Sequence, residues 1–235
     1  MRLLAGLLLL WSAPAAADDA AQALVDAVQA NFEAIQTISC SVTTTATVTY
    51  TRTAVAGRVT TTHYRYWLKR PDKLRVETPD GNALVRDGAR AWRFTPDGGS
   101  VELAGSAVAA PCALPPVILW NFREALAGLN LIISGAVSGR QVLEAWPAGP
   151  VTGSGQAAHR EFWVGANGTV DRIRLYDPSG WAYHRMSITS RVVGEISVPG
   201  IVEETFLSPA NTTAIRHEFA AVRLNEELPD SLFAP

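Results

Sequence analysis

The sequence predicts one α+β domain, in which a wide antiparallel sheet carries helices over one of its faces. Two features of the 235-residue chain predict this class. A helical period near the N terminus changes abruptly to strand alternation, and Asp-Gly pairs then separate several short alternating segments. Short antiparallel strands in succession favour a meander, which must bury one face of a curved sheet.

The first helix is predicted over residues 19 to 37. Leu24, Val28, Phe32 and Ile35 form one stripe at the helical period, and one of the two preceding aspartates can cap the start. A helix with a single apolar stripe needs an apolar surface to cover. We therefore expect this helix to lie on the sheet.

The strand pattern begins directly after this helix. Cys40, Val42, Ala46, Val48 and Tyr50 alternate with serine and threonine, which is typical of a strand with one apolar face and one wettable face. Turns are predicted where Asp-Gly pairs occur, at residues 80–81, 87–88 and 97–98. The following sets are each expected to share a face: Tyr64, Tyr66 and Leu68; Leu74 and Val76; Trp92 and Phe94; Val101 and Leu103.

A second helix is predicted between residues 111 and 130. Two prolines suit its first turn, Ile118, Phe122 and Leu126 form a stripe, and Gly128 can end it. Further strands are predicted at about 131–137, 140–146, 159–165, 169–176, 181–193 and 201–207.

Residues 1 to 17 have the pattern of a cleavable secretory signal. Arg2 precedes an apolar run from Leu3 to Trp11, and small residues then lead to Asp18. The remainder, 18 to 235, is expected to form a single domain, because it contains no linker and fits one large β domain. A net charge of −2 and the lack of a basic cluster beyond Lys69 and Arg70 argue against nucleic-acid binding.

Two cysteines, Cys40 and Cys112, are present in a chain with an export signal. An even number in an oxidising compartment permits a disulfide. Closing a loop of this length would stabilise the fold by about 4 kcal/mol if the bond is unstrained. Two unpaired, buried thiols are the alternative, and the sequence leaves both open.

The segment from Tyr64 to Pro96 resembles the core of the LolA-like periplasmic carriers of outer-membrane lipoproteins. The pieces that carry the resemblance are Trp67–Pro71, Leu84–Gly88 and Ala91–Phe94, in the same order and spacing as in that family. Residues 206–209 and 221–233 resemble its closing segment. The likeness is strong over residues 20–97, fair over 160–235 and weak over 104–158. It implies an unclosed antiparallel β-barrel, a half-barrel, with a helical lid over an apolar cavity.

The same resemblance implies a function. A protein of this family is a periplasmic, monomeric transport chaperone that holds the acyl chains of lipoproteins, or a related lipid, and delivers them toward the outer membrane. An inner-membrane donor complex and an outer-membrane acceptor are the implied partners. The alternative of a different class is a LolA-like sensor that binds lipid or misfolded envelope proteins and regulates a membrane partner.

Arg70 is the residue to which the resemblance assigns a role, that of a latch which holds the helical lid closed. Arg70 follows Tyr64, Tyr66 and Leu68 at the two-residue period of a strand, so it is expected to point toward the same apolar face. A charge on such a face needs hydrogen-bond acceptors, and carbonyl groups of the lid would be suitable. If the alternating faces line a cavity, the lipid-binding residues are Val42, Val48, Tyr64, Tyr66, Leu68, Val76, Trp92, Phe94, Phe162, Ile173, Leu175, Met186 and Ile188, with Ile118, Leu119, Trp120 and Phe122 from the lid.

No catalytic, cofactor or metal motif is evident in the sequence. The four histidines occur singly without zinc-site spacing, and no G-x-S-x-G turn or dinucleotide-binding loop is present. We therefore expect no enzyme activity, no cofactor and no metal. A hydrolase built on a lipid-binding fold is the third hypothesis, and it would need a polar triad inside the cavity.

Overall fold

The computed structural model describes residues 19–50, 57–103, 121–149 and 157–234. Helix α1 (Asp19–Glu33) is followed by β1 (Thr37–Tyr50), β2 (Arg58–Lys69), β3 (Lys73–Glu77), β4 (Ala83–Asp87), β5 (Arg90–Phe94) and β6 (Ser100–Leu103). Helix α2 (Phe122–Ala125) precedes β7 (Leu129–Val137), β8 (Arg140–Pro147), β9 (His159–Val164), β10 (Val170–Tyr176), β11 (Ala182–Val193), β12 (Ile196–Leu207) and β13 (Asn211–Leu224). A 3-10 helix (Asp230–Phe233) lies near the C terminus.

The thirteen described strands form one sheet in the order β6-β5-β4-β3-β2-β1-β13-β12-β11-β10-β9-β8-β7. Every neighbouring pair is antiparallel. Two meanders, β1–β6 and β7–β13, are therefore joined where β1 pairs with β13. The edge strands β6 and β7 do not pair with each other, so the sheet is not closed. This confirms the predicted unclosed antiparallel architecture.

Turn chemistry explains why the first meander is compact. Gly81, Gly88 and Gly98 have φ values of 85°, 62° and 85° in the turns β3–β4, β4–β5 and β5–β6. A positive φ is accessible to glycine at little steric cost. The three Asp-Gly turns expected from the sequence are thus confirmed.

The face of the sheet that packs against α1 is here called the inner face, and the opposite one the outer face. Leu24, Val28, Phe32 and Ile35, the predicted stripe, are buried in one cluster with Val42 of β1. Helix α1 ends at Glu33, earlier than the predicted 37. The backbone tightens there, because Ile35 N donates to Phe32 O at 3.0 Å and Thr37 already begins β1.

A close backbone contact fixes α1 on the sheet. Gly168, in the β9–β10 turn, has φ 70°, and a Cβ built on it would lie 2.6 Å from Ala27 O of the helix. Only glycine allows the turn to approach the helix backbone this closely. Nearby, Asn31 Nδ2 donates to Ser197 O at 3.2 Å.

The second predicted helix is only partly within the described residues. Helix α2 covers four residues of it, and Gly128 follows with φ 77°. Phe122 and Leu126 of the predicted stripe are buried in the inner-face cluster. Ile118 and the residues before it lie outside the described ranges.

Strand β13 was not among the predicted strands, yet it pairs with β1 along almost its whole length. Its sequence alternates Ile215, His217 and Phe219 with the charged Arg216 and Glu218. The charged residues lie on the outer face, and the alternating residues Ile215, His217 and Phe219 lie on the inner face.

Among the described residues, no helix combines the length and the apolar character needed to cross a membrane.

Candidate functional site

The inner face carries most of the predicted binding residues. Tyr64, Tyr66 and Leu68 of β2 lie opposite Val42, Cys40 and Ile38 of β1. Tyr66 is buried, and the other two are half-buried against the same core cluster. The shared face predicted for these three residues is confirmed. Whether they contact a lipid stays a prediction.

The second meander supplies an apolar inner-face row of its own. Phe162, Ile173 and Met186 lie at the same register on β9, β10 and β11. They belong to the same buried cluster as Val42, together with Val76 and Ile188, and Leu175 packs against it. Phe122 of α2 meets Phe162 edge to face, with ring centroids 5.1 Å apart at 87°. This aromatic contact holds the described part of the second helix on the inner face.

Farther along the sheet the inner face is more open. Val48, Thr213, Phe206, His184 and Leu175 lie side by side on β1, β13, β12, β11 and β10. Phe206 is 37% exposed and stacks on the His184 ring at 4.0 Å. We call these five residues the open row. Phe206 is exposed, Val48, Leu175 and Thr213 are half-buried, and His184 is buried beneath the Phe206 ring, so part of the row remains accessible.

The placement predicted for Trp92 and Phe94 is wrong. The strand register aligns Trp92 with Val85, Arg75 and Trp67, which therefore share one face. Tyr66 is aligned with Val76, and these two residues lie on the opposite face. Trp92 therefore lies on the outer face, and Phe94 has the same parity. Both pack there in a separate cluster.

The C-terminal segment covers this outer-face cluster. Leu228 and Phe233 are buried in it, and Leu232 packs against it. Lys69 Nζ donates to Leu228 O at 2.8 Å, and Arg75 Nη1 donates to Leu232 O at 3.0 Å. An aromatic strand can alternate toward either side of a sheet, and here the tail supplies the apolar cover on the side away from α1.

Three of the predicted lid residues and one cysteine cannot be placed. Ile118, Leu119, Trp120 and Cys112 lie outside the described residues. Cys40 is buried on the inner face, and burial raises the pKa of its thiol to about 12. The disulfide between the two cysteines stays a prediction.

Arg70 lies just beyond the end of β2, against the C-terminal end of α1. Its Nε donates to Ile35 O at 2.8 Å and its Nη2 to Phe32 O at 2.9 Å. The last carbonyls of a helix have no intrahelical donor, and a cation there also interacts favourably with the helix dipole. Burial lowers the pKa of the Arg70 guanidinium, and Glu33 opposes that shift. The structure thus supplies backbone acceptors for Arg70, from α1. The latch role itself stays a prediction.

Asn225 supports the same helix end from the other side. Its Nδ2 donates to Ala34 O at 3.0 Å, and its Oδ1 accepts from Gln36 N at 2.7 Å. Asn225 has φ 57°, a left-handed conformation that asparagine adopts more readily than most residues. The α1–β1 junction is therefore held by side chains from β13 and from the end of β2.

Polar contacts join α1 to α2. Arg123 Nε donates to Asp26 Oδ1 at 3.1 Å, and Arg123 N donates to Gln29 Oε1 at 3.2 Å. Arg160 Nη1 of β9 donates to Ala125 O at 3.0 Å. Of these three contacts, the Arg123–Asp26 contact is an exposed ion pair, and a pair of this kind contributes up to about 1 kcal/mol.

A buried polar cluster on the inner face was missed by the sequence analysis. Glu204 accepts from His184 Nε2 at 3.0 Å and from His217 Nε2 at 3.2 Å. Thr44 Oγ1 lies 2.9 Å from His217 Nδ1. Burial raises the pKa of the Glu204 carboxyl, but hydrogen bonds from both histidines outweigh it and leave the pKa lowered. Each of these four polar residues alternates in phase with the apolar residues of its strand. A polar residue at such a position is the sequence signal that could have identified the cluster.

Thr44, His217 and Glu204 are connected in the order hydroxyl, imidazole and carboxylate. If His217 donates through Nε2 to Glu204, its neutral ring accepts the Thr44 hydroxyl at Nδ1. The same connectivity activates nucleophiles in hydrolases. However, Thr44 lies in the middle of β1, which pairs with β2 on one side and with β13 on the other. The nearby backbone N–H groups are therefore occupied by hydrogen bonds within the sheet. An oxyanion hole would need such groups to be available.

Known structures with the same architecture are similar over nearly the whole chain, although no family model and no curated protein sequence matches it. A DUF1329 family protein from Desulfovibrio piger superposes with a TM-score of 0.64 at 14% identity, covering 91% of this chain and 97% of that one. A putative outer-membrane lipoprotein-sorting protein domain from Vibrio parahaemolyticus gives 0.57 at 12% identity, with coverages of 91% and 97%.

A LolA superfamily protein from Nitrosomonas europaea has a TM-score of 0.55 at 16% identity, covering 92% of this chain and 97% of that chain. Identities this low establish architecture rather than activity. The unclosed sheet, the helical cover on its inner face and these superpositions lead to one conclusion: the chain has the LolA-like fold.

Proposed function

We propose that this protein is a periplasmic carrier that binds the acyl chains of lipoproteins, or a related lipid, and delivers them toward the outer membrane. The observation that carries the proposal is the apolar inner face, part of it open, beneath helices that are attached partly by exposed polar contacts. The similarity in fold to a putative lipoprotein-sorting domain supports it.

The open row has the dimensions and the chemistry for an acyl chain. Five adjacent strands span about 19 Å, given a strand spacing of about 4.8 Å. Each methylene removed from water contributes about 0.8 kcal/mol, so a chain of about 16 carbons could gain on the order of 10 kcal/mol before entropy costs. Binding of this kind needs few directed hydrogen bonds.

A carrier must also release its ligand, and Arg70 is the proposed latch. Its hydrogen bonds to α1 carbonyls stabilise the closed cover, so a ligand that displaces the cover has to replace them. This exchange would lower the net affinity enough to permit transfer to an acceptor. Export by residues 1 to 17, a monomeric state, an inner-membrane donor and an outer-membrane acceptor are parts of the same proposal.

The binding step is tested with a fluorescent acylated lipopeptide and its unacylated counterpart. We expect saturable binding of the acylated form only. Phe206→Gln places a polar group in the open row and should weaken binding at least tenfold. Val59→Gln, a matched change at an exposed residue of the outer face, should not. Equal binding of the two peptides, or equal effects of the two variants, would contradict the proposal.

The latch is tested separately with Arg70→Leu. The variant should change lipopeptide loading and its transfer to acceptor vesicles, even at temperatures at which it stays folded. Unchanged loading and release would leave the carrier proposal intact and remove Arg70 from it. Tight, lipid-independent binding to a membrane protein would instead favour the sensor alternative.

A hydrolase is the second candidate, and the Thr44–His217–Glu204 connection is the observation that favours it. Incubation with a lipid ester, followed by measurement of released fatty acid, tests this candidate. Turnover that disappears in Thr44→Val would establish it. Binding without turnover, unaffected by Thr44→Val, would exclude this triad as a catalytic site and leave the cluster as a polar contact for the ligand.

A further inference from the structure

We propose that the outer face carries a binding site for a divalent transition-metal cation of the Zn²⁺ type, formed by Glu144, His159 and Glu161. The site lies on β8 and β9, on the side of the sheet opposite the inner-face core. It is independent of the proposed acyl-binding face, since Leu143 and Phe162, the neighbours along the chain, point to the inner face.

The three side chains converge as metal ligands do. One imidazole nitrogen and two carboxylate oxygens lie within 4.8 Å of one another. His159 Nε2 lies 3.5 Å from Glu144 Oε2. Zinc binds nitrogen and oxygen at about 2.0–2.1 Å, which places tetrahedral ligand atoms about 3.3 Å apart. Small side-chain adjustments would therefore bring all three atoms to bonding distance, with a fourth position for water.

The negative charges of the two carboxylates are poorly compensated without a cation. Glu144 and Glu161 lie directly opposite each other on adjacent strands, where like charges destabilise the pair. Arg174 approaches Glu161 only at 3.9 Å, and its guanidinium lies over the Trp163 ring at 4.8 Å. A divalent ion between the carboxylates would convert the repulsion into attraction.

The histidine is aimed into the site and held there. Its Nε2 is buried and has no hydrogen-bond partner in the part of the chain that the structure describes. A buried polar atom without a hydrogen-bond partner is destabilising. The ring is stacked between Trp146, at 3.9 Å and 8°, and Tyr176, at 4.8 Å and 17°. The stack restrains the ring plane, with Nε2 3.5 Å from Glu144 Oε2.

Both carboxylates are oriented by neutral donors, as ligands of metal sites commonly are. Tyr176 donates its hydroxyl to Glu161 Oε2 at 2.7 Å. Trp146 Nε1 donates to Glu144 Oε2 at 3.2 Å. The same two aromatic residues therefore position all three ligands.

The ligands come from two strands, and the sequence gives no sign of the site. His159 and Glu161 are two residues apart on β9, but Glu144 is contributed by β8 through the strand register. A mixed set of one imidazole and two carboxylates suits Zn²⁺ better than Mg²⁺, which prefers oxygen ligands and retains its waters.

The test uses tag-free mature protein, freed of metal by a chelator and titrated with Zn²⁺ alone in competition with a chromophoric chelator. We expect one equivalent to bind. Glu144→Gln, Glu161→Gln and His159→Phe should each lower the affinity at least tenfold, and Tyr176→Phe by about tenfold through loss of the orienting donor. Glu203→Gln and His63→Gln, which change outer-face residues away from the cluster, are the controls and should bind as the wild type does.

Circular dichroism establishes that each variant is folded before titration, and the isosteric glutamine variants keep the test valid if His159→Phe is not. An absence of saturable Zn²⁺ binding would overturn the proposal. So would binding that all the cluster variants retain, or cluster variants that lose stability to the same extent with and without Zn²⁺. The last result would identify the cluster as an ion pair of protonated His159.

Discussion

At the scale of single residues, two charged side chains are shielded from water, Glu204 almost completely and Arg70 in part. Arg70 and Glu204 both lie where the sheet is otherwise apolar, and both have their charge met by hydrogen bonds. Arg70 donates to helix carbonyls, and Glu204 accepts from two imidazoles. Buried charges persist in proteins when they are paired in this way.

Replacing Arg70 should destabilise the protein as well as alter the proposed release. Arg70→Leu leaves the carbonyls of Phe32 and Ile35 without this donor, which should lower the free energy of unfolding by about 1–3 kcal/mol. Chemical denaturation measures the change. Arg93→Leu, at an exposed arginine of β5, is the control and should stay within about 0.5 kcal/mol of wild type. Equal stabilities of the two variants would show that the hydrogen bonds to α1 contribute nothing.

The Glu204 cluster makes a prediction about pH. In the folded protein, hydrogen bonds from the two histidines outweigh the effect of burial and hold the pKa of this carboxyl below its ordinary value. Its ionised form therefore adds stability at pH values above about 4.5, and that contribution is lost as the pH falls through the folded-state pKa. The stability difference between wild type and Glu204→Gln, measured by denaturation, should be present at pH values above about 4.5 and should shrink as the pH falls below it.

A difference that grows as the pH falls would contradict this assignment. His184, His217 and Thr44 are the described groups that face Glu204.

Parity along a strand predicted the Tyr64–Tyr66–Leu68 face correctly, but it could not predict the Glu204 cluster. The three aromatic or aliphatic residues repeat on one short strand, so their common face follows from local geometry alone. The cluster joins positions 44, 184, 204 and 217 through the register of three strand pairings. Nothing local to any one of these residues reveals its partners.

At the scale of elements, the position of α1 depends on the turn that meets it. Gly168→Ala would place a methyl group against Ala27 O and would also strain a positive φ. Gly180→Ala is the matched control, because its φ is +81° and no atom lies within 4 Å of the added carbon. Both variants bear the conformational cost of about 1 kcal/mol, and Gly168→Ala should lose at least 1 kcal/mol more.

Thermal and chemical unfolding of these two glycine variants measure the difference. If both lose the same stability, the turn does not press on the helix as described. A larger loss for Gly168→Ala confirms that α1 is positioned by backbone contact as well as by its apolar stripe.

The C-terminal 3-10 helix predicts a separation between stability and binding. Phe233 is fully buried against the outer-face cluster, so Phe233→Ala should cost about 3–5 kcal/mol. At temperatures where it stays folded, the variant should bind acylated lipopeptide as wild type does, because this cluster lies on the face away from α1. Chemical denaturation and the lipopeptide titration measure the two quantities, and weakened binding by folded Phe233→Ala would argue against two independent faces.

The distance along the chain between paired elements explains which of them the sequence could predict. The early strands, with their Asp-Gly turns, were predictable because local turn chemistry sets their pairing. Strand β13 was not, since one of its two partners, β1, is distant in the chain and its outer-face positions include charged residues. The wrong face assigned to Trp92 has the same origin: the tail that covers it lies far away in sequence.

At the scale of the whole molecule, two meanders meet at the β1–β13 pair while the outermost strands β6 and β7 remain unpaired. The incomplete closure is what allows helices to enter the inner face. The architecture thus provides an apolar surface with a separate cover, which is the arrangement that reversible lipid binding requires.

The most direct test of the carrier is to purify the mature protein natively from the periplasm, extract it under denaturing conditions and identify bound species by mass spectrometry. The account predicts acyl-containing lipids or lipoproteins with wild type and their depletion in Phe206→Gln, but not in Val59→Gln. Protein that is reproducibly free of acyl species and fails to bind acylated lipopeptide would contradict it.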